Sequence, residues 1–147
     1  MFHITSRGVA GELIFRDDFD KRKFVLLLEE VSAYWGWRVL AYCLMTTHFH
    51  LVVEAKREQM SLAVHRLNCL YAMYFNRRHD RRGHLFENRF ASWVVNDDEH
   101  LERTIAYVLN NPVNAGLCVE AADWQWSWPR YPRAPRPLAL SDPDVAA

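Results

Sequence analysis

The chain has 147 residues, half of them hydrophobic and 14% aromatic, and a formal net charge of zero, which suits one globular domain with its own core. No apolar run approaches the roughly 20 residues of a membrane-spanning helix, and the first residues lack a signal-peptide pattern, so the sequence predicts a cytoplasmic protein. The three cysteines are too widely spaced to indicate a disulfide framework or a zinc knuckle.

The first part of the chain predicts the order strand, helix, strand, strand. Residues 2–5 are a short β-prone run, and an aspartate cap precedes a helix that Gly36 ends. Residues 37–45 predict a second strand, which a short turn at residues 46–47 folds back into a third strand as a hairpin. This order is half of a ferredoxin-like sheet.

Two histidines one residue apart, His48 and His50, lie in the third predicted strand. Alternate side chains of a strand face the same way, so both imidazoles project from one face while Phe49 projects from the other. Neutral imidazoles bind divalent metals, and two of them with oxygen ligands would leave positions open for a substrate. By itself such a pair more often indicates structural histidines, so the metal hypothesis needs support from elsewhere in the chain.

The second part of the chain predicts a helix, a strand and a further helix. The second helix runs from about residue 60 to residue 78, a basic loop follows, and residues 89–95 form the last strand. The completed order βαββαβ predicts an α+β fold, a ferredoxin-like antiparallel sheet with helices on one face. A third helix is added from residue 100 to about residue 110, where Pro112 must end it.

The third helix carries two polar side chains on one face. Its apolar residues form a separate stripe, while Tyr107 and Asn111 lie one turn apart. An amide oxygen can serve as a third metal ligand, and a phenol one turn away can reach whatever the metal binds. The alternative is structural, with Tyr107 a half-buried tyrosine and Asn111 a cap at the helix end.

Between residues 63 and 94 the chain is locally basic, with arginines far outnumbering acidic residues. Guanidinium groups hold phosphates bidentately and stack on bases, so arginines interleaved with aromatic residues suit a nucleic acid. A solvated helix face and loop is the alternative. Arg81 and Arg82 fall in a predicted exposed loop, where alanine substitution should cost little stability.

The C-terminal end divides into an aromatic anchor and a tail. Trp124, Trp126 and Trp128 are the anchor, and the residues that follow are rich in proline and arginine. The sequence therefore predicts a domain over residues 1–130 and a disordered tail over residues 131–147.

Five ordered segments carry a resemblance to a known family. They are residues 2–8 (FHITSRG), 42–51 (YCLMTTHFHL), 74–79 (YFNRRH), 83–90 (GHLFENRF) and 107–117 (YVLNNPVNAGL). Over roughly residues 1–128 the chain resembles the HUH single-tyrosine transposases, in particular the REP-associated tyrosine transposases. It departs from them at Thr46 and Thr47, where the family usually has Pro-Asn before the first motif histidine.

The resemblance implies an enzyme that cleaves and transfers single-stranded DNA through a covalent 5′-phosphotyrosine intermediate, acting on REP-type hairpin DNA as a monomer or homodimer. His48 and His50 would be metal ligands, with Mg²⁺ or Mn²⁺ as the cofactor. Tyr107 would be the nucleophile and Asn111 the position of the third ligand. The predicted DNA-binding residues, from the basic cluster and the matched segments, are Arg7, Arg77, Arg78, Arg81, Arg82 and Arg89.

Two other functions stay open at this point. The chain could be a non-catalytic nucleic-acid-binding module with the same sheet, in which the histidines and the tyrosine are structural. It could also hydrolyse DNA through metal-activated water, without a covalent intermediate.

Overall fold

A five-stranded antiparallel sheet, in the order β4-β1-β3-β2-β5, organises the fold. We describe it from a computed structural model, over residues 1–129. The predicted tail, residues 131–147, lies outside the described residues. The elements are β1 (Phe2–Arg7), α1 (Asp18–Trp35), β2 (Arg38–Leu44), β3 (His48–Glu54), α2 (Arg57–Arg78), β4 (Ala91–Val94), α3 (Asp98–Asn114) and β5 (Ser127–Trp128).

The predicted α+β order βαββαβ is confirmed, and its boundaries follow from local chemistry. Asp17 caps α1 by accepting a hydrogen bond from the Asp20 backbone, and Gly36 ends the helix at a left-handed φ of 67°. The β2–β3 hairpin closes where the Met45 N–H donates to the His48 carbonyl at 3.0 Å. The short strand β5 was not predicted; it comes from the tryptophan-rich anchor and pairs with β2.

Helices cover both faces of the sheet. On one face α1 and α2 bury a large apolar core, in which Phe24, Phe49 and Tyr71 are fully buried. On the other face α3 packs Ile105 and Val108 against β2 and β3. The added helix therefore lies opposite the two ferredoxin-like helices, on the sheet face that carries His50. In the described part of the chain, no helix is both long and apolar enough to cross a membrane.

The prediction that Pro112 ends α3 is wrong, because the helix continues to Asn114. Backbone bonds close the next turn: the Ala115 N–H donates to the Asn111 carbonyl at 3.0 Å, and the Leu117 N–H to the Pro112 carbonyl at 2.9 Å. The proline ring itself is buried against the fold, and this packing offsets the lost backbone donor. Asn111 therefore lies inside the helix and is not a cap at its end.

Candidate active site

β3 presents His48 and His50 on the sheet face covered by α3, as the strand alternation predicts. Their ring centroids are 5.1 Å apart, with nearly perpendicular planes. Burial lowers the pKa of His48, and burial together with the neighbouring His3, His48 and Arg7 lowers the pKa of His50 to about 3. Both imidazoles are therefore neutral near pH 7, the form that binds metal ions.

His3, on the neighbouring strand β1, is a site residue that sequence reasoning missed. Its Nε2 lies 3.0 Å from Nδ1 of His50, in a buried hydrogen bond. This contact uses one ring nitrogen of His50, while the other, Nε2, is buried and has no hydrogen-bond partner within residues 1–129. The bond thus holds the His50 ring with its free nitrogen towards the remaining site residues.

α3 brings Tyr107 and Asn111 over the same face. The Tyr107 ring is 55% exposed, and its centroid lies 5.9 Å from those of both His3 and His50. The Asn111 Nδ2 donates to the Tyr107 carbonyl at 3.2 Å, which leaves its Oδ1 available. The Asn111 side chain is close enough to His48 and His50 to act on the pKa of each, without meeting full hydrogen-bond geometry with the buried Nε2 of His50.

The donor set at this point fits a divalent cation. The buried Nε2 of His50, which has no partner among the described residues, is the observation that favours a bound cation, because burying a ring nitrogen without a partner costs free energy. Among residues 1–129, no group of three histidine, cysteine, aspartate or glutamate side chains could hold a metal ion. Beside the two imidazoles, the amide oxygen of Asn111 could supply a third protein ligand, since amide oxygens bind divalent cations.

Trp93 on the edge strand β4 was also missed. Its register partner on β1 is His3, so the two side chains share a face, with ring centroids 5.2 Å apart. The indole is 53% exposed although it lies beside the buried His3–His50 pair. An exposed aromatic ring at this position offers a surface on which a nucleobase can stack.

The six arginines predicted to bind DNA fall into two groups, two that form ion pairs and four that do not. Arg78 forms ion pairs with Asp17 and Asp20, whereas Arg81 pairs with Glu12 at 2.6 Å. The expectation that Arg81 is an exposed loop charge is wrong, since only 15% of its side chain is exposed.

The other four arginines are exposed, and none forms an ion pair within residues 1–129. They are Arg7, Arg77, Arg82 and Arg89. Arg7 lies near enough to His48 and His50 to lower the pKa of both. These four positions remain the better candidates for phosphate contacts.

The five-stranded antiparallel sheet with helices α1, α2 and α3 is an α+β fold that is also found among solved transposases. A solved REP-associated tyrosine transposase bound to a REP hairpin has the same fold, with a TM-score of 0.69, 14% identity, and coverage of 86% of this chain and 74% of that one. A Deinococcus radiodurans protein provisionally classed as a transposase gives a TM-score of 0.53 at 15% identity, covering 75% of this chain and 88% of that one.

The chain belongs to the transposase IS200-like family, whose model matches residues 1–111. A Haemophilus influenzae protein, provisionally named a REP-associated tyrosine transposase, is 22% identical over 111 residues. That match covers 67% of this chain and 62% of the relative, so the chain spans less than two thirds of the relative's length. The resemblance seen in the five sequence segments is thereby confirmed.

Proposed function

We propose that this chain cleaves single-stranded DNA and joins strands through a covalent bond between Tyr107 and a 5′-phosphate. One observation carries the proposal: the exposed phenol of Tyr107, the neutral His48 and His50, and the amide of Asn111 converge on one face of the sheet. Membership of a transposase family supports DNA as the substrate.

The proposed metal is Mg²⁺ or Mn²⁺, held by His48, His50 and Asn111. Such a cation supplies positive charge to the phosphate oxygens, where negative charge grows during in-line attack. The two imidazoles contribute neutral nitrogens and Asn111 contributes its amide oxygen. His3 keeps the ligating nitrogen of His50 free by bonding to the other one.

In the proposed reaction, the Tyr107 oxygen attacks phosphorus and loses its proton as the O–P bond forms. The bond from phosphorus to the 3′ oxygen breaks, and that oxygen takes up a proton to leave as a 3′-hydroxyl. The 5′-phosphate stays on the phenol as an ester. Because one phosphodiester replaces another, a second 3′-hydroxyl can reverse the step and join two strands without ATP.

The proposed substrate is a DNA hairpin with single-stranded flanks. The solved relative described above was bound to a REP hairpin. For this chain, the exposed rings of Tyr107 and Trp93 beside the histidines favour a strand whose bases are unstacked, which requires locally single-stranded DNA.

The test is a search for the covalent adduct with 3′-labelled REP-type hairpin DNA. The wild-type chain with Mg²⁺ or Mn²⁺ should form a labelled species that survives denaturation, and EDTA should abolish it. Tyr107→Phe should form none while binding within a few-fold of wild type, because only the attacking oxygen is lost. Tyr34→Phe, an exposed tyrosine on α1, is the matched control and should form the adduct.

Each other outcome identifies a different function. Salt-sensitive binding without an adduct, with metal present, would indicate a non-catalytic binding module. Cleaved product without an adduct would indicate hydrolysis by activated water. An adduct formed by Tyr107→Phe would show that another tyrosine is the nucleophile.

A further inference from the structure

A cavity of about 540 Å³ lies between α2 and the loop of residues 83–90. It opens on the sheet side covered by α1 and α2, since Phe86 in its wall packs against the core residue Phe49. Its volume is within the range of small-ligand sites. No part of the proposed reaction uses it.

The charge of the cavity favours an anionic ligand. Among residues 1–129, no aspartate or glutamate lines the cavity, whereas Arg89 does, together with His65 and His84. Arg89 is exposed and forms no ion pair in the part of the chain that the structure describes. A guanidinium in this state is available for a phosphate group.

The rest of the lining suits a flat ring with polar edges. Phe86 and Phe90 are half-buried and pack against the core, so part of each ring is left exposed to a ligand. The Asn68 Nδ2 donates to Ser6 at 2.9 Å, and its buried Oδ1 has no partner within residues 1–129. Aromatic rings beside a side-chain amide suit an unstacked nucleobase, and the edge of that base can reach the buried Oδ1 of Asn68 after a shift of the Asn68 side chain.

The cavity and the candidate active site meet at the end of β1. The Glu87 N–H donates to the Arg7 carbonyl at 3.0 Å, and Gly8 forms a β-bridge with Phe86. On the other side of β1, the register partner of Arg7 is His48. A strand bound at the histidines can therefore continue past this strand end, and a nucleotide further along it can reach the loop.

We propose that this cavity binds one unpaired nucleotide of the DNA strand that the chain cleaves, and that it contributes to choosing the sequence. The base lies against Phe86 and Phe90 with its edge at Asn68, and its phosphate lies at Arg89. The proposal rests on the proposed function, because it takes the same strand as ligand.

The first experiment measures base preference in EDTA, where no cleavage takes place. The probe is a pool of DNA hairpins with a randomised single-stranded flank of about ten nucleotides, a length typical of such sites. Wild type should enrich one base at a fixed flank position, and an abasic linker there should weaken binding about tenfold or more, as expected for a lost stacking contact. Asn68→Ala combined with Arg89→Ala should lose both the enrichment and the abasic effect.

The control and the contrary results separate this inference from the reaction. Arg66→Ala removes an arginine from α2 outside the cavity lining and should keep the base preference. A double variant that retains the wild-type preference would overturn the cavity proposal while a covalent adduct still supports the reaction. If the base preference depends on the cavity but wild type forms no covalent adduct, the proposed reaction is wrong and the cavity proposal stands.

A second measurement uses the wild-type chain and does not depend on the folding of variants. Cys69 is half-buried and lines the cavity, and Cys118 is half-buried outside the lining. Bound DNA should slow alkylation of Cys69 by N-ethylmaleimide more than that of Cys118, as read by peptide mass spectrometry. Equal rates for Cys69 with and without saturating DNA would overturn the proposal.

Discussion

At the scale of single residues, the bond between His3 and His50 decides which ring nitrogen of His50 can bind a metal. If Nδ1 of His50 carries the proton and donates it to Nε2 of His3, the lone pair of the buried Nε2 is free. Partners of this kind fix the orientation and tautomer of metal-binding histidines. In the proposed metal site, His3 would thus be a positioning residue that acts through His50.

We therefore expect His3→Phe to lower metal affinity by roughly 10–100-fold, the usual cost of losing such a partner. Phenylalanine fills much of the same space but cannot accept the hydrogen bond. His3→Gln restores an acceptor and should recover part of the affinity. Calorimetric titration with Mn²⁺ measures both variants, and wild-type affinity in His3→Phe would show that the bond is not needed.

The sequence predicted those parts of the site that depend on residues close together in the chain, and missed those that depend on residues far apart in it. The shared face of His48 and His50, and that of Tyr107 and Asn111, follow from the periods of one strand and one helix. The contacts of His3 and Trp93 depend on the register of β1 against β3 and β4, which no local pattern contains. Non-local pairing therefore hid two aromatic residues of the site.

At the scale of elements, the difference between local patterns and non-local contacts also explains the two wrong predictions, for the end of α3 and for the exposure of Arg81. Pro112 is a strong local stop signal, but burial of its ring within the fold outweighed that signal. Arg81 could not be distinguished from Arg82 by composition, because its partner Glu12 is distant in sequence. Besides this ion pair, Arg81 donates to the His84 carbonyl at 2.9 Å, which fixes the start of the loop of residues 83–90 that lines the cavity.

Replacing these two neighbouring arginines should therefore have different effects on stability. Arg81→Ala should lower the free energy of unfolding by about 1–2 kcal/mol, since it removes several hydrogen bonds but its partner Glu12 is half-exposed and screened. Arg82→Ala should change it by less than about 0.5 kcal/mol. Thermal unfolding followed by circular dichroism measures the difference.

Arg82→Ala should in turn flatten the salt dependence of DNA binding, by roughly 0.7 in log affinity against log salt if it contacts one phosphate. An unchanged slope of log affinity against log salt would show that Arg82 is a solvated surface residue that does not contact a phosphate. Equal stability of the two alanine variants would show that the bonds of Arg81 to Glu12 and to the His84 carbonyl do not stabilise the fold.

At the scale of the whole molecule, one ionic cluster joins the start of α1 to the end of α2. Arg78 donates to Asp17 and to the buried Asp20, and Asp20 also accepts from the Arg16 backbone at 2.9 Å. His79 reaches the same carboxylate. The two helices that cover one face of the sheet are thus tied together at these ends, next to the basic loop that leads to the cavity.

This cluster makes part of the stability depend on acidic pH. The hydrogen bond from Arg78 is the main cause that lowers the pKa of Asp17 to about 2, from an ordinary value of 3.8. A carboxylate with a lowered pKa in the folded state contributes stability that is fully present above its unfolded pKa. As the pH falls from about 4 to about 2, Asp17 takes up a proton and that contribution is lost.

Asp17→Asn should therefore weaken the dependence of stability on pH in this window. Asparagine is also a good N-cap, so the start of α1 keeps its cap while the charge is removed. Melting temperatures measured from pH 2 to pH 6 should fall less steeply on the acid side than in wild type, with a lower plateau above pH 4. Asp80→Asn, which removes an exposed carboxylate without an ion pair within residues 1–129, is the matched control and should follow the wild-type curve. If the melting temperatures of wild type and Asp17→Asn fall equally steeply below pH 4, other carboxylates govern the acid stability of the fold.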